Sequence, residues 1–433
     1  MFTLKPLCAA VAILLIPCAC LGAGKWSIVP RIYLEEQYDD NLFLSETDEQ
    51  EDLITTASPG IDLKYESPTG MIDLDYELRR SIYNDFSELN FTGQRGWLEA
   101  RKEFSPRFAA GIRELFIRSQ DPVGLTRVPT FERPSIRFGE RRPYTRNVVQ
   151  PDFTFTFYKD SSIRIGYRNH ILNNDAEDVA DQDENAVNAL LTYSFNVRNR
   201  AELFYERLSQ DYGPTIPPEP PRDFVGDLVR ARYTHNFDPR TSAYFEYRYY
   251  QKDMDQETPS FFDYKVHDPK LGFSRALSEK VSLEASAGYA FRDTDTADNQ
   301  ETFTGTVRFS SQYKRLNTEV YGDTGFQDDF RTAESLGFNE FWRAGFRGTY
   351  QFLQRLWGDG YFYVERDDYT DIDRTDKYWD VRGVVRYQLL RWLFLSFDYE
   401  YFKRNSTAAG QSYTDNRFFG RLTARYDIAE KYQ

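Results

Sequence analysis

Three histidines are the residues of this sequence best suited to catalysis or metal binding, and they lie far apart in the chain. They are His170, His235 and His267, and none has a second histidine at the spacing of a metal site. The sequence also has no G-x-S-x-G elbow, no HExxH pair and no phosphate-binding glycine loop. These patterns predict no catalytic residue, no metal ion and no cofactor.

An arginine-rich segment, residues 119–146, stands out in a chain whose formal net charge is −14. Guanidinium groups bind carboxylate, phosphate or sulfate groups through two parallel hydrogen bonds. The segment therefore either screens anionic groups in a passage or lies in solvent and against lipid phosphates, and the sequence leaves both open. The candidate residues in it are Arg127, Arg133, Arg137, Arg141, Arg142 and Arg146.

Charged residues at every second or fourth position form the other pattern with a chemical meaning. Basic ones dominate some segments, with Arg343, Arg347, Arg382, Arg386, Arg421 and Arg425 as candidates. Acidic ones dominate the segments between, with Glu319, Asp323, Asp398 and Glu400 as candidates. On neighbouring antiparallel strands such residues face each other, and each opposite-charge pair contributes about 0.2–1 kcal/mol. We expect these ten side chains to line a charged, water-filled interior.

The elements that carry these residues are β-strands with one apolar and one polar face. Ile72, Leu74 and Tyr76 alternate with acidic residues, and the tight turn at 67–70 joins this segment to a similar one. The pattern repeats to the end of the chain, with aromatic residues at the ends of the apolar faces and small aliphatic residues in the middle. This profile is typical of strands that face lipid between two aromatic girdles, whereas a soluble sandwich would favour Val, Ile and Leu throughout.

Short and long connections alternate between the predicted strands. Nine short turns and ten long polar loops predict twenty strands, with eighteen as the alternative. Short turns belong to the periplasmic side of such barrels and long loops to the outside. The predicted fold is thus an all-β, transmembrane, antiparallel up-and-down β-barrel with both termini in the periplasm.

The first 24 residues have the features of a secretory signal peptide. Lys5 is the only charge, an apolar run follows from Leu7 to Ile16, and small residues end the segment. We expect cleavage after Gly24, with Gly22 as the alternative, so that 1–24 is the signal peptide and 25–433 a single barrel domain in the bacterial outer membrane. All three cysteines lie before residue 21, so the mature chain can form no disulfide.

Aromatic residues make up 17% of the chain, yet no stretch after the signal segment is long and apolar enough for a transmembrane helix. The acidic total argues against a nucleic-acid partner, because phosphate neutralisation requires a basic surface. The expected surroundings are outer-membrane lipid and lipopolysaccharide.

A family resemblance rests on the first predicted hairpin. The sequence reads Tyr-Asp-Asp-Asn-Leu-Phe-Leu at 38–44 and Glu-Asp-Leu-Ile-Thr-Thr-Ala-Ser-Pro-Gly-Ile at 51–61. This arrangement resembles the outer-membrane β-barrel porins found with exopolysaccharide and exosortase (PEP-CTERM) gene clusters. The resemblance implies a barrel tied to polysaccharide export and implies no catalytic residues.

These observations lead to one main functional hypothesis and two alternatives. The main one is an outer-membrane pore or export component for exopolysaccharide, which works with a periplasmic export partner. A general or solute-selective porin is the alternative with the same fold, and an outer-membrane hydrolase is the alternative from another class. The sequence names neither the cargo nor the direction of transport.

Overall fold

The computed structural model describes residues 24–121, 141–215, 222–258, 261–295, 298–329 and 337–428. Residues 1–23 of the proposed signal peptide, most of the arginine-rich segment and five C-terminal residues lie outside these ranges. Among the described residues, no helix is long and apolar enough to cross a bilayer. The described part contains one 3-10 turn, Ser87–Leu89, and is otherwise built of strands.

The described residues form twenty strands, which follow one another along the chain. The first ten are β1 (Lys25–Asp39), β2 (Asp52–Ser67), β3 (Gly70–Tyr83), β4 (Phe91–Ser105), β5 (Phe108–Ser119), β6 (Tyr144–Tyr158), β7 (Ser161–Asn174), β8 (Gln182–Ser194), β9 (Asn199–Tyr212) and β10 (Phe224–Asp238). The second ten are β11 (Thr241–Met254), β12 (Tyr264–Ser278), β13 (Val281–Asp293), β14 (Gln300–Gln312), β15 (Leu316–Asp329), β16 (Gly337–Leu353), β17 (Leu356–Tyr369), β18 (Arg374–Leu390), β19 (Leu393–Ser406) and β20 (Tyr413–Arg425).

The strands form one closed antiparallel barrel. Each strand pairs with its neighbours in sequence, and β1 also pairs with β20 over the register Arg31↔Arg425 to Asp39↔Arg417. Closure leaves the sheet without a free edge, which a bilayer requires because lipid offers no hydrogen-bond partners to the backbone. The predicted up-and-down barrel of twenty strands is confirmed, and the alternative of eighteen is wrong.

Connection length distinguishes the two ends of the barrel, which we call the turn end and the loop end. The nine connections at the turn end have two to four residues, as at 68–69 and 195–198. The loop end carries the longer ones, such as 40–51 and 120–143, although the β17–β18 connection at 370–373 has only four residues. β1 begins and β20 ends at the turn end.

Alternate side chains of each strand point to opposite sides of the wall, as the period of two in the sequence predicts. On β18 the outward residues Val385 and Tyr387 are 49% and 41% exposed in the absence of lipid, whereas the inward Asp376 and Asp380 are buried. The inward face is charged although it is enclosed, and the outward face is apolar although it is exposed. This inversion is the arrangement expected of a barrel in lipid.

The inward side chains are buried progressively from the turn end to the loop end. On β1, Ser27 and Arg31 are partly exposed, while Glu35, Gln37 and Asp39 are buried. The same trend on β18 runs from the exposed Arg386 to the buried Asp376. The interior is therefore open at the turn end and filled at the loop end.

Candidate functional site: the barrel interior

Ion pairs between neighbouring strands line one side of the interior. Arg343 on β16 lies opposite Asp323 on β15, with 2.7 Å between Nη2 and Oδ2. One step closer to the turn end, the Nη2 atom of Arg347 lies 2.5 Å from Oε2 of its register partner Glu319. Arg308 on β14 approaches the other oxygen of Glu319 at 3.2 Å. The predicted alternation of basic and acidic strands thus brings opposite charges together here.

The remaining candidates on β18 to β20 do not all pair with the residue opposite them in the neighbouring strand. Arg382 binds Asp380 of its own strand at 2.6 Å, although Glu400 is its register partner. Arg386 binds Asp359 at 3.3 Å, and Arg425 lies over the Phe394 ring at 4.6 Å.

Arg421 bridges three strands of the same wall. It lies on β20, contacts Glu35 on β1 and reaches Asp398 on β19 at 3.4 Å. Glu400 lies in register between Arg382 and Arg417. Because β1 and β20 form the closing seam, Arg421 adds an ionic contact across it.

The arginines of the arginine-rich segment have different surroundings in the structure. Arg127, Arg133 and Arg137 lie outside the described residues. Arg142 pairs with Asp178 in the next long loop, where its guanidinium lowers the pKa of that carboxyl through a side-chain hydrogen bond. Arg146 projects from β6 and donates from Nε to Nε2 of His170 at 3.1 Å. Among the described members, Arg141 alone is buried, in the filled part of the interior.

Arg141 belongs to a closed ring of alternating charges, which we call the charge ring. Its Nη2 lies 2.8 Å from Oδ2 of Asp39, and its Nη1 lies 3.5 Å from Oδ1 of Asp121. Arg417 completes the ring with distances of 3.3 Å to Asp39 and 3.7 Å to Asp121, and it also binds Asp415 at 2.7 Å. Arg417 lies on β20 and Asp121 directly follows β5. The ring therefore spans the interior across the inner faces of β1 to β4.

Residues 38–44, which carry the family resemblance, take part in the same closure. Asp39 joins the charge ring, and the Asn41 amide donates to the carbonyls of Ser45 and Thr414 at 2.8 Å each. Leu42 packs on the inner wall beside Ile54. Leu44 lies in a buried cluster with Tyr378, Phe402 and Tyr413. The Leu-Phe-Leu run at 42–44, inside an otherwise polar loop, is the sequence signal for this inward fold.

The loop-end part of the β15–β16 hairpin also folds inward. Phe326 and Phe338 pack together at 4.7 Å between ring centroids, and Phe338 packs on Tyr264 of β12 at 5.1 Å. Val266 and Ala290 on the inner wall of β12 and β13 complete this cluster. The sequence predicts a long polar loop at 326–339 that contains both phenylalanines, and it does not indicate that they pack inside the barrel.

Arg292 on β13 holds the inward-folded part of the β15–β16 hairpin in place. Its side chain is fully buried, lies 4.3 Å from the centre of the Phe338 ring, and pairs with Asp371 at 2.9 Å. Its Nη1 donates to Gln300 and Thr370 at 3.2 and 3.1 Å. Asp371 and Thr370 belong to the β17–β18 connection, so this arginine joins two walls of the barrel.

The comparisons with known proteins agree with this architecture. Residues 191–426 match the model of the family described as "Putative beta-barrel porin 2". The chain belongs to this family. It is therefore an outer-membrane β-barrel of the porin type, a channel and not an enzyme. No curated protein matches the sequence.

Solved structures similar to this porin include two receptors from Pseudomonas aeruginosa. The siderophore receptor PirA has a TM-score of 0.52 at 7% identity, and 94% of this chain covers 81% of it. A mutant of the ferric enterobactin receptor PfeA has a TM-score of 0.52 at 9% identity, with the same two coverages. OccAB2 of Acinetobacter baumannii has a TM-score of 0.44 at 12% identity, with 93% and 98% covered. At these identities the likeness concerns the fold alone.

The turn end of the porin contains an open, charged cavity of about 630 Å³, which we call the vestibule. Arg31 pairs at its edge with Asp62, with Asp75 at 2.6 Å and with Glu77 at 3.1 Å. A cavity of about 90 Å³ lies between the vestibule and the charge ring. The vestibule is lined by Ser27, Val29, Asp62, Lys64, Asp73, Asp75, Arg95, Trp97, Arg391, Arg425 and Asp427.

Proposed function

We propose that this porin is a secretion pore for exopolysaccharide, which receives the polymer in the vestibule and releases it at the loop end. The observation that carries the proposal is the one-sided interior, open and charged at the turn end and filled at the loop end. A pore for general uptake needs a mouth that is open to the outside, whereas a secretion pore can stay shut until cargo arrives from within.

The direction follows from the usual orientation of bacterial barrels. Their short turns lie in the periplasm and their long loops lie outside. With this orientation the vestibule opens to the periplasm, and both ends of the barrel chain lie there as well. The proposal includes removal of residues 1–24 as a signal peptide, a single domain from residue 25 to 433, and a periplasmic export partner that docks at the turn end.

The chemistry of the vestibule fits a chain of hydroxyl groups. Its carboxylates are balanced by guanidinium groups and one ammonium group, and the Lys64–Asp73 pair at 2.9 Å is one example. Paired charges offer hydrogen-bond donors and acceptors to sugar hydroxyls. Because their charges cancel, they do not retain cargo of one sign of charge. Trp97 adds an apolar ring face on the inner wall. Tyr321 and Tyr363, which stack at 6.4 Å farther up, are 4% and 1% exposed and offer no free face in this conformation.

The resemblance of residues 38–44 and 51–61 to barrels of exopolysaccharide clusters supports the same cargo. A solute-selective porin is the second candidate, and the small cavity of about 90 Å³ next to Arg79, Arg95 and Arg141 favours it. A cavity of that size admits a few water molecules or a small anion but no sugar ring. The two candidates therefore differ in where the cargo binds.

Binding to the folded protein in detergent separates the candidates. We expect oligosaccharides of the host's own polymer to bind by calorimetry, and Trp97→Ala to weaken that binding several-fold. Trp392→Ala is the matched control, because Trp392 lies in the β18–β19 turn and is 45% exposed. A deletion strain should retain polymer in the periplasm and recover secretion with the wild-type gene. If oligosaccharides do not bind and small anions alone permeate vesicles, the selective porin is the correct function.

A further inference from the structure

The strand ladder between β14 and β15 is shorter than the ladders on either side of it. It runs from Gln312↔Asn317 to Gly305↔Thr324 and ends there. The β13–β14 ladder continues to Arg292↔Gln300, and the β15–β16 ladder continues to Asp329↔Gly337. Residues 300–304 of β14 therefore have a ladder partner on one side only.

The missing partner is the hairpin end that folds inward. We call residues 325–329 and 337–341 the hairpin end. From Gly325 onward β15 leaves β14, takes the start of β16 with it, and lies over the inner face of β12 to β14. The Thr302 hydroxyl, on the inner face of β14, donates to the Glu340 carboxylate of the hairpin end.

The alternation of side chains shows which face of the hairpin end is turned inward. Val320 on β15 and Trp342 on β16 point outward and are 47% and 46% exposed. Counting in twos from them, Phe326 and Phe338 also occupy outward positions. They contact the inner wall because the hairpin end is folded back across β14. Their sequence positions therefore suit a second conformation, in which they face lipid.

We infer that the hairpin end is a gate, which opens by swinging outward to pair with residues 300–304 of β14. Continuing the existing register places Phe303 opposite Phe326 and Thr302 opposite Gln327. The open conformation gains the ladder hydrogen bonds that β14 lacks. It also places the Phe326 ring beside Phe303, which is 56% exposed on the outer face. In exchange it loses the inner aromatic cluster.

Arg292 is the latch of this gate. Its guanidinium holds the Phe338 ring at 4.3 Å and is itself held by Asp371 at 2.9 Å, so the closed hairpin end is clamped between β13 and the β17–β18 connection. Weakening this clamp favours the open conformation. The inference rests on the chain being a channel and does not depend on the nature of the cargo.

Paired cysteines distinguish the two conformations in the intact porin. In the open ladder, Phe303→Cys and Phe326→Cys face each other at about 4.5–5.5 Å between Cα atoms, within the range of a disulfide. In the closed conformation these residues lie on opposite sides of the wall. Phe309→Cys with Val320→Cys is the matched control, because this pair is opposite in the existing ladder. Both pairs lie outside the vestibule.

We expect both pairs to form disulfides in oxidised outer membranes, the control quickly and the Phe303/Phe326 pair more slowly. The Phe303/Phe326 disulfide should raise single-channel conductance in planar bilayers, and a reducing agent should return the same molecules to the low level. The control disulfide should leave conductance unchanged. Asp371→Asn should accelerate formation of the Phe303/Phe326 disulfide. If that disulfide never forms while the control does, or forms without a change in conductance, the hairpin end is no gate.

Discussion

Val384 and Val385 are adjacent on β18 but lie on opposite faces of the wall, so one substitution made at both sites tests which face meets lipid. Val385 is 49% exposed on the outer face, between Trp379 and Tyr387. We expect Val385→Arg to destabilise the folded barrel and Val384→Arg to be tolerated. The two variants have the same composition and differ only in the environment of the new charge.

The magnitude follows from the position of Val385 between the two aromatic residues. Trp379 and Tyr387 mark the girdles, so Gly383 lies near the middle of the bilayer. Two residues at about 3.3 Å each, on a strand tilted by about 40°, place Val385 about 5 Å from the midplane. An arginine at the midplane of such a barrel costs about 2–4 kcal/mol and almost nothing at the interface. We therefore expect about 2 kcal/mol for Val385→Arg.

Val384 has the opposite surroundings. Its register partners are Asp359 on β17 and Asp398 on β19, so an arginine there lies between two carboxylates. We expect a change below about 0.5 kcal/mol, since exposed cross-strand ion pairs contribute little. The assay is reversible urea unfolding in lipid vesicles, followed by tryptophan fluorescence and gel mobility. Equal losses at the two sites would refute the assignment of faces, and with it the placement of every charged candidate in the interior.

Three further predictions concern the orientation, the charge ring and the connections at the loop end. A cysteine at Thr407 should react with an impermeant reagent on intact cells, whereas one at Thr241 should react only after permeabilisation, and the reverse result would invert the barrel. Arg141→Met leaves Asp39 and Asp121 facing each other; we expect the reversal potential in planar bilayers to shift toward cation selectivity, and an unchanged potential would place the ring outside the ion path. Arg142 holds the pKa of Asp178 below its ordinary value. The stabilisation of the folded state by this pair is therefore fully present above the ordinary pKa and is lost as the pH falls through the lowered pKa. Arg142→Gln should return the Asp178 pKa to its ordinary value in a carboxyl NMR titration, and no change would show that the two residues are apart in solution.

The barrel was predictable because its signals are local. A period of two, an aromatic residue at each end of a face and a turn after each strand can all be read within about fifteen residues. The pairing of Asp323 with Arg343 followed from the same pattern, since neighbouring strands in sequence are neighbours in the wall. The positions of the charged candidates as inward residues thus follow from the fold, while their role in transport remains a prediction.

The closure of the loop end was not predictable in the same way. The charge ring joins Asp39, Asp121, Arg141 and Arg417, which are scattered along nearly the whole chain. No periodicity connects such residues, and the sequence did not single out Arg417 from the many other charges. The inward fold of the hairpin end could not be predicted for a different reason. Phe326 sits at a position where alternation indicates lipid, and only the early end of the β14–β15 ladder reveals that the strand departs from the wall.

The seam between β1 and β20 has a consequence for how the molecule is made. Arg31 and Arg425 are register partners although almost the entire chain lies between them. Every other ladder can form between segments synthesised within seconds of each other, but the seam must wait for β20. Until then both seam strands present unpaired backbone edges, which readily join other chains. The seam is therefore the last ladder that can form, and it joins two edges that come from opposite ends of the chain.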